Sequence, residues 1–244
     1  MNKNILSKKK LKIFMNNFVD FFLPKFCLGC GGEGEFICKD CLKKIKSAEL
    51  CCPVCNKVNF SGQFCKKHQK GFAFQKLLFV SRFSGLSKEM VHAFKYQGIK
   101  DLSFVMAKLM AQVLKKEIKK DDDLILVAVP LFFLKRLQRG FNQSEILAQK
   151  IGEILNLDYQ KLVLRQRPTA SQTGFKKSER QKNMKDAFCL SQLGQVADLS
   201  GKTIVLVDDV YTTGSTINEV AKILKKKPAS RRAKAIWALT FAKD

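Results

Sequence analysis

An α/β fold, a parallel sheet flanked by helices, is what the sequence predicts for residues 73–244. A small cysteine-rich module at residues 27–72 and an amphipathic leading segment at residues 1–26 precede it. Three observations carry this reading. Strand-like and helix-like segments alternate after about Phe72, the pattern of parallel strands joined by helical crossovers. Eight of the nine cysteines lie between Cys27 and Cys65, in a stretch too poor in apolar periodicity to build a core unaided. An apolar strand, Ile204-Val205-Leu206-Val207, runs into two acids and a hydroxyl-rich turn that opens a helix.

The elements follow in chain order. Leu11, Phe14, Phe18, Phe21 and Phe22 recur at helical spacing and Pro24 ends the run, so a short amphipathic helix is expected over 11–23. Residues 27–68 are short, Gly-containing knuckles. Met90 to Phe94 and Phe104 to Ile118 read as helices, and Leu124 to Val129 as a buried strand closed by Pro130. Ser144 to Leu155 is helical again, and Leu162-Val163-Leu164 is a brief strand. The polar, basic stretch Arg165 to Lys185 is expected to be a long loop, a kind that is usually functional. Thr203 to Val207, a helix after Gly214, and Ala235 to Leu239 complete the alternation.

The chain has 244 residues, 46% hydrophobic and 27% charged, which suits a folded protein and excludes wholesale disorder. Lys and Arg number 45 against 21 acids, for a net charge of +24. A field of that sign attracts polyanions such as nucleic acid or phosphorylated ligands. The N-terminus mixes charge into its apolar stretch and lacks a small-residue cleavage site, so it has neither the pattern of an export signal nor that of a transmembrane span. A reducing, cytoplasmic setting is therefore expected, in which crowded thiols serve metal rather than disulfides.

Cys27-x-x-Cys30 is followed by Cys38-x-x-Cys41, and Cys52-x-x-Cys55 by Cys65-x-x-His68. Two residues between ligands let one tight knuckle aim both side chains at a tetrahedral ion, and two knuckles complete it. Structural zinc is the expected metal, because four protein ligands per ion leave no position open for water. Sequential pairing gives one site of four cysteines and one of three cysteines and a histidine; a crossed arrangement and a single ion are also open. Cys51 could replace Cys52, though only Cys52 keeps the two-residue spacing to Cys55. Cys189 stands alone and reads as a small core residue.

The turn at 208–216 has its own chemistry. Amide groups at a helix start, with the hydroxyls of Thr212, Thr213, Ser215 and Thr216, suit a phosphate dianion, and Gly214 allows close backbone approach. Asp208 and Asp209 at the strand end can accept hydrogen bonds from vicinal sugar hydroxyls. Neither G-x-x-x-x-G-K-[ST] nor G-x-G-x-x-G occurs at this turn.

The segment Ile204 to Thr216 matches the phosphoribosyl-pyrophosphate motif of type I phosphoribosyltransferases at nearly every position. Pro130-Leu131, Arg139-Gly140-Phe141-Asn142-Gln143-Ser144, Gln172-Thr173-Gly174, Arg180-Gln181-Lys182-Asn183 and Ala187-Phe188 resemble the ComF family of competence-related proteins. The cysteine knuckles belong to the same pattern, so the resemblance runs from about Phe18 to about Phe241. It implies a type I phosphoribosyltransferase-like sheet with a zinc-ribbon-like module. By the same resemblance, Asp208 and Asp209 contact ribose, and Val210, Tyr211, Thr212, Thr213, Gly214, Ser215 and Thr216 form the ligand turn. Lys176, Lys177, Arg180 and Lys182 would lie in a flexible loop that closes on pyrophosphate with Mg²⁺. Phe94-Lys95-Tyr96-Gln97-Gly98 matches a further recurrent ComF segment, whose role the residues alone do not give. Ala128 departs from a common proline, and Phe132 from a frequent polar residue or histidine. Implied ligands and partners are phosphoribosyl pyrophosphate or a related ribose phosphate, single-stranded DNA and DNA-uptake proteins. The alternative is an active phosphoribosyltransferase acting on an acceptor that no residue identifies, or a regulator that binds the activated sugar.

Overall fold

Five strands form the parallel sheet. They are β1 (Lys76–Arg82), β2 (Leu124–Ala128), β3 (Asp158–Tyr159), β6 (Thr203–Tyr211) and β7 (Ala235–Lys243), in the spatial order β1-β7-β6-β2-β3. The computed structural model describes residues 24–45, 47–59, 61–166 and 187–244. The helix expected over 11–23 and the loop from residue 167 to Lys185 lie outside the described residues. Two compact units make up the chain, one ending at Lys46 and the other running from Ser47. The second cysteine group thus belongs to the larger unit. Among the described residues no helix is long and apolar enough to cross a membrane.

In the first unit a single turn of helix, α1 (Lys39–Lys43), starts at Cys38, whose sulfur accepts from the Cys41 amide. The second unit opens with α2 (Lys66–Gln69), which carries His68. Helices α3 (Gly85–Tyr96) and α4 (Leu102–Lys115) join β1 to β2, and α5 (Phe133–Arg139) and α6 (Gln143–Leu155) join β2 to β3. A separate antiparallel ribbon pairs β4 (Val163–Arg165) with β5 (Phe188–Leu190). The short α7 (Gln192–Val196) leads to β6, and α8 (Ser215–Lys225) joins β6 to β7.

The strands are apolar because both sheet faces are covered. Val127, Leu206 and Ala238 pack in one core with Ile217, Val220 and Leu224 of α8, while α4 and α6 lie together and cover β1, β7, β2 and β6. No element is expected over Leu77-Leu78-Phe79-Val80, yet this run is the edge strand β1 and is buried throughout; a short apolar run fits strand or helix equally. Three further differences have local causes. The helix read at Met90–Phe94 begins at Gly85, so its first turn is less apolar than the pattern requires. The brief strand at 162–164 does not join the main sheet but pairs antiparallel with Phe188–Leu190. And β6 continues past Val207 to Tyr211, because Asp208, Val210 and Tyr211 remain in register with Thr240, Ala242 and Lys243 of β7.

This strand order contains a switch point. From β2 the chain crosses outward to β3, and from β6 it crosses the other way to β7, although β2 and β6 are neighbours. Connections leaving in opposite directions open a crevice at the carboxyl ends of the two strands, where open α/β sheets bind ligands.

Candidate functional site

The crevice is a cleft of about 420 Å³. Val129, Pro130 and Leu131 line it from the end of β2, and every residue from Asp208 to Ile217 lines it from β6 and the start of α8. The acids and the hydroxyl turn of the sequence therefore share one cavity. Their outer wall comes from Lys95 and Tyr96, from Arg139, Asn142, Gln143 and Ser144 around the α5–α6 junction, and from Arg165.

Adjacent strand positions project to opposite sides, and the two carboxylates find different partners. Asp209, only 6% exposed, pairs with Lys95 Nζ at 2.8 Å. Asp208 Oδ1 accepts from Ser144 Oγ at 2.8 Å and from the Asp209 amide at 3.0 Å. Burial, and then the neighbouring Asp209 charge, push the Asp208 carboxyl up to about 7 despite the opposing influence of Lys95 and the Ser144 hydroxyl. The Arg165 guanidinium is lowered by burial, with Asp208 acting in the other direction.

At the start of α8, Gly214 has φ +74°, a left-handed conformation that favours glycine. A Cβ there would lie 2.5 Å from Tyr211 Oη and 2.6 Å from Cε2. The glycine is thus needed by the fully buried tyrosine beneath it, a reason the sequence alone does not reveal. Thr213 Oγ1 and Ser215 Oγ are 2.8 Å apart at the helix start. Asn218, one turn on, accepts from the Ala73 amide at 2.7 Å and donates to Gly71 O, which fastens α8 to the segment before β1.

The segment Arg139 to Ser144 acquires its logic here. Gly140, at φ +75°, ends α5, and Asn142 caps α6 by accepting from the Ser144 amide while donating to Val129 O at the end of β2. That cap delivers Ser144 to Asp208. Gln143 is 2% exposed and lines the cleft. Its Oε1 accepts from Arg139, and among the described residues its Nε2 has no partner, which leaves a buried amide donor facing the cleft. Lys95, Gln143 and Ser144 are the residues whose roles sequence reasoning missed. Their segments were visible as motifs, but no local pattern says that Lys95 meets Asp209. Lys176, Lys177, Arg180 and Lys182 lie outside the described residues.

The cysteines form two groups, and both could hold a metal ion. Ligand atoms of Cys27, Cys30, Cys38 and Cys41 all lie within 4.8 Å of one another, as do those of Cys52, Cys55, Cys65 and His68. Four ligands at about 2.3 Å around a tetrahedral ion put sulfurs about 3.8 Å apart. Cys30 and Cys38 are separated by 3.8 Å, Cys55 and Cys65 by 3.7 Å, and Cys52 Sγ lies 3.5 Å from His68 Nδ1. Backbone amides from Gly29 and Cys38 point at Cys27 Sγ, and one from Cys65 at Cys52 Sγ. At Cys52 burial opposes ionisation, but amide donors outweigh it and bring the thiol down to about 6. At Cys65 hydrogen bonding to the Cys55 and Cys52 sulfurs, then burial, push it up to about 11. Such crowding of sulfur is relieved by a cation. Cys51 lies outside this set and contacts Asn56 and Arg82 instead, and Cys189 is half-buried in β5.

A parallel sheet whose switch-point cleft joins paired acids to a hydroxyl turn defines a phosphoribosyltransferase-type domain, and the phosphoribosyl transferase domain family matches residues 97–243. Competence protein F of Haemophilus influenzae is 28% identical over 222 residues, covering 87% of this chain and 94% of its own. DNA utilization protein YhgH of Escherichia coli K12 is 30% identical, with 83% of this chain and 89% of that protein aligned. Competence protein ComFC of Streptococcus pneumoniae is 30% identical over 81% of this chain and 84% of its own. The chain belongs to the ComF family of competence-related proteins.

Proposed function

We propose that the cleft binds phosphoribosyl pyrophosphate or a related ribose phosphate with Mg²⁺, and that the protein uses this state in handling single-stranded DNA during uptake. One observation carries the ligand: Asp208, Asp209 and the whole turn from Thr212 to Thr216 line a single cleft at the switch point. The turn supplies amides and hydroxyls for a 5-phosphate, the acids accept from ribose hydroxyls, and Gln143 Nε2 offers a further donor to a phosphate oxygen. The DNA role is supported by the names of the relatives, which refer to competence and DNA utilization, and by the net charge of +24. Zinc suits both cysteine groups, whose donors leave no position for water, so its role is structural. In the reducing cytoplasm these thiols stay available to it.

Calorimetry with phosphoribosyl pyrophosphate and Mg²⁺ tests the ligand. The wild type is expected to bind in the micromolar range, and Asp209→Asn, which leaves Lys95 without its countercharge, at least tenfold more weakly. Equal binding by both chains, or none by the wild type, removes the reading. Release of pyrophosphate on adding candidate bases would extend it to catalysis.

A further inference from the structure

The acids and the hydroxyl turn do not account for the surface beside the cleft, where aromatic rings and cations alternate. At the cleft edge the Arg139 guanidinium lies 5.1 Å from the ring centroid of Tyr96, and Tyr96 is 67% exposed. Four residues on, past Gly98 at φ +68°, the exposed Lys100 puts Nζ 5.1 Å from the centroid of Phe141, a ring that is itself buried and whose neighbour Asn142 lines the cleft. Lys100 also borders a second hollow of about 410 Å³ with Phe104, Ile146 and Lys150. There Lys150 Nζ lies 6.0 Å from the Phe104 centroid, and Phe104 is 56% exposed at the first turn of α4. Lys108, one turn further along that helix, is exposed as well. Among the described residues Asp101 is the one acid bordering the hollow, against two lysines.

We propose that this surface, from Tyr96 and Arg139 through Lys100 to Phe104 and Lys150, is a binding track for single-stranded DNA leading out of the cleft. Exposed rings cost free energy in water and are normally buried. Rings flanked by cations match a polyanion whose bases offer flat apolar faces. The strand must be single, because in a duplex those faces are already stacked on one another. Phosphates then meet Lys100, Lys150 and Arg139, while bases lie on Tyr96 and Phe104. The track rests on the DNA-handling reading above and deepens it by naming the surface.

Fluorescence anisotropy with labelled dT15, run from low to moderate salt, tests it beside an abasic strand of equal length. Phe104→Ala is expected to weaken dT15 binding about tenfold at every salt concentration, the range for losing one stacked base, and to leave abasic binding unchanged. Lys150→Gln should instead lower the slope of log affinity on log salt by about 1 for both strands. Phe104 is exposed and Lys150 half-buried, and unchanged binding of phosphoribosyl pyrophosphate reports an intact fold. If wild type binds dT15 and neither variant alters it, the track is wrong and the DNA reading stands. If wild type binds no DNA at low salt, the reading fails and the track with it. Equal loss of dT15 and abasic strand in Phe104→Ala also overturns the stacking role.

Discussion

Asp208 and Asp209 are neighbours in sequence, yet they stand in opposite electrostatic situations. Asp209 has Lys95 at 2.8 Å, whereas Asp208 has a hydroxyl and an amide, and its carboxyl is raised to about 7 by burial and by Asp209. A folded value above the roughly 3.9 of an unfolded aspartate has a definite sign. Between the two values the unfolded chain has released a proton that the folded chain keeps. Stability therefore falls as pH rises from about 4 to about 7 and changes no further above it. Asp208→Asn keeps the acceptor for Ser144 but removes the charge. It is expected to raise stability at pH 8 by about 2 kcal/mol, with the gain gone near pH 4. It should also weaken the sugar phosphate at least tenfold. Urea melts of both chains at the two pH values check this, and an Asn variant less stable than wild type at pH 8 would mean that Asp208 carries no such penalty.

The proposed anion cradle is made by one strand end and one helix start, and their junction is set by Tyr211 under Gly214. Gly214→Ala adds a Cβ that meets the tyrosine ring at a left-handed φ, so either the ring or the turn must move. The expected cost is about 1–3 kcal/mol in stability and at least a tenfold loss of phosphoribosyl pyrophosphate affinity; wild-type affinity in calorimetry would show that the turn tolerates a side chain. Sequence makes this element legible because its chemistry is consecutive: apolar strand, acids, hydroxyls and helix fall within Ile204 to Thr216. It is less legible where partners are distant. Nothing before β7 is placed says that Asp208 still pairs with Thr240, so the local pattern ends the strand at Val207. Likewise the meeting of Lys95 with Asp209, and of Ser144 with Asp208, depends on how α3 and α6 pack and leaves no trace in local spacing.

At the scale of the molecule, the alternation of segments foretells a parallel sheet, but strand order cannot be read from it, and the order is what puts the cleft between β2 and β6. The cysteines present the same division. Their spacing gives the ligands, whereas the structure assigns the two groups to different units. Cys27 to Cys41 lies in the unit ending at Lys46. In the other unit Cys51 and Cys52 are fully buried in a core that includes Phe64, Phe74 and Tyr211. Metal at Cys52, Cys55, Cys65 and His68 should therefore fix the tyrosine that shapes the cradle. Cys30 and Cys55 are both exposed, so serine at either removes a metal ligand without opening a cavity. Each variant is expected to lose about one zinc per chain, since one missing thiolate breaks a four-ligand site. Cys30→Ser should keep phosphoribosyl pyrophosphate affinity within about twofold. Cys55→Ser should lose about tenfold and melt earlier, because the knuckle shares its core with Tyr211. Metal content, Tm and calorimetry on the two chains decide the matter. Equal affinities with one zinc missing from each would mean that the second knuckle holds its own loop and has no hold on the cradle.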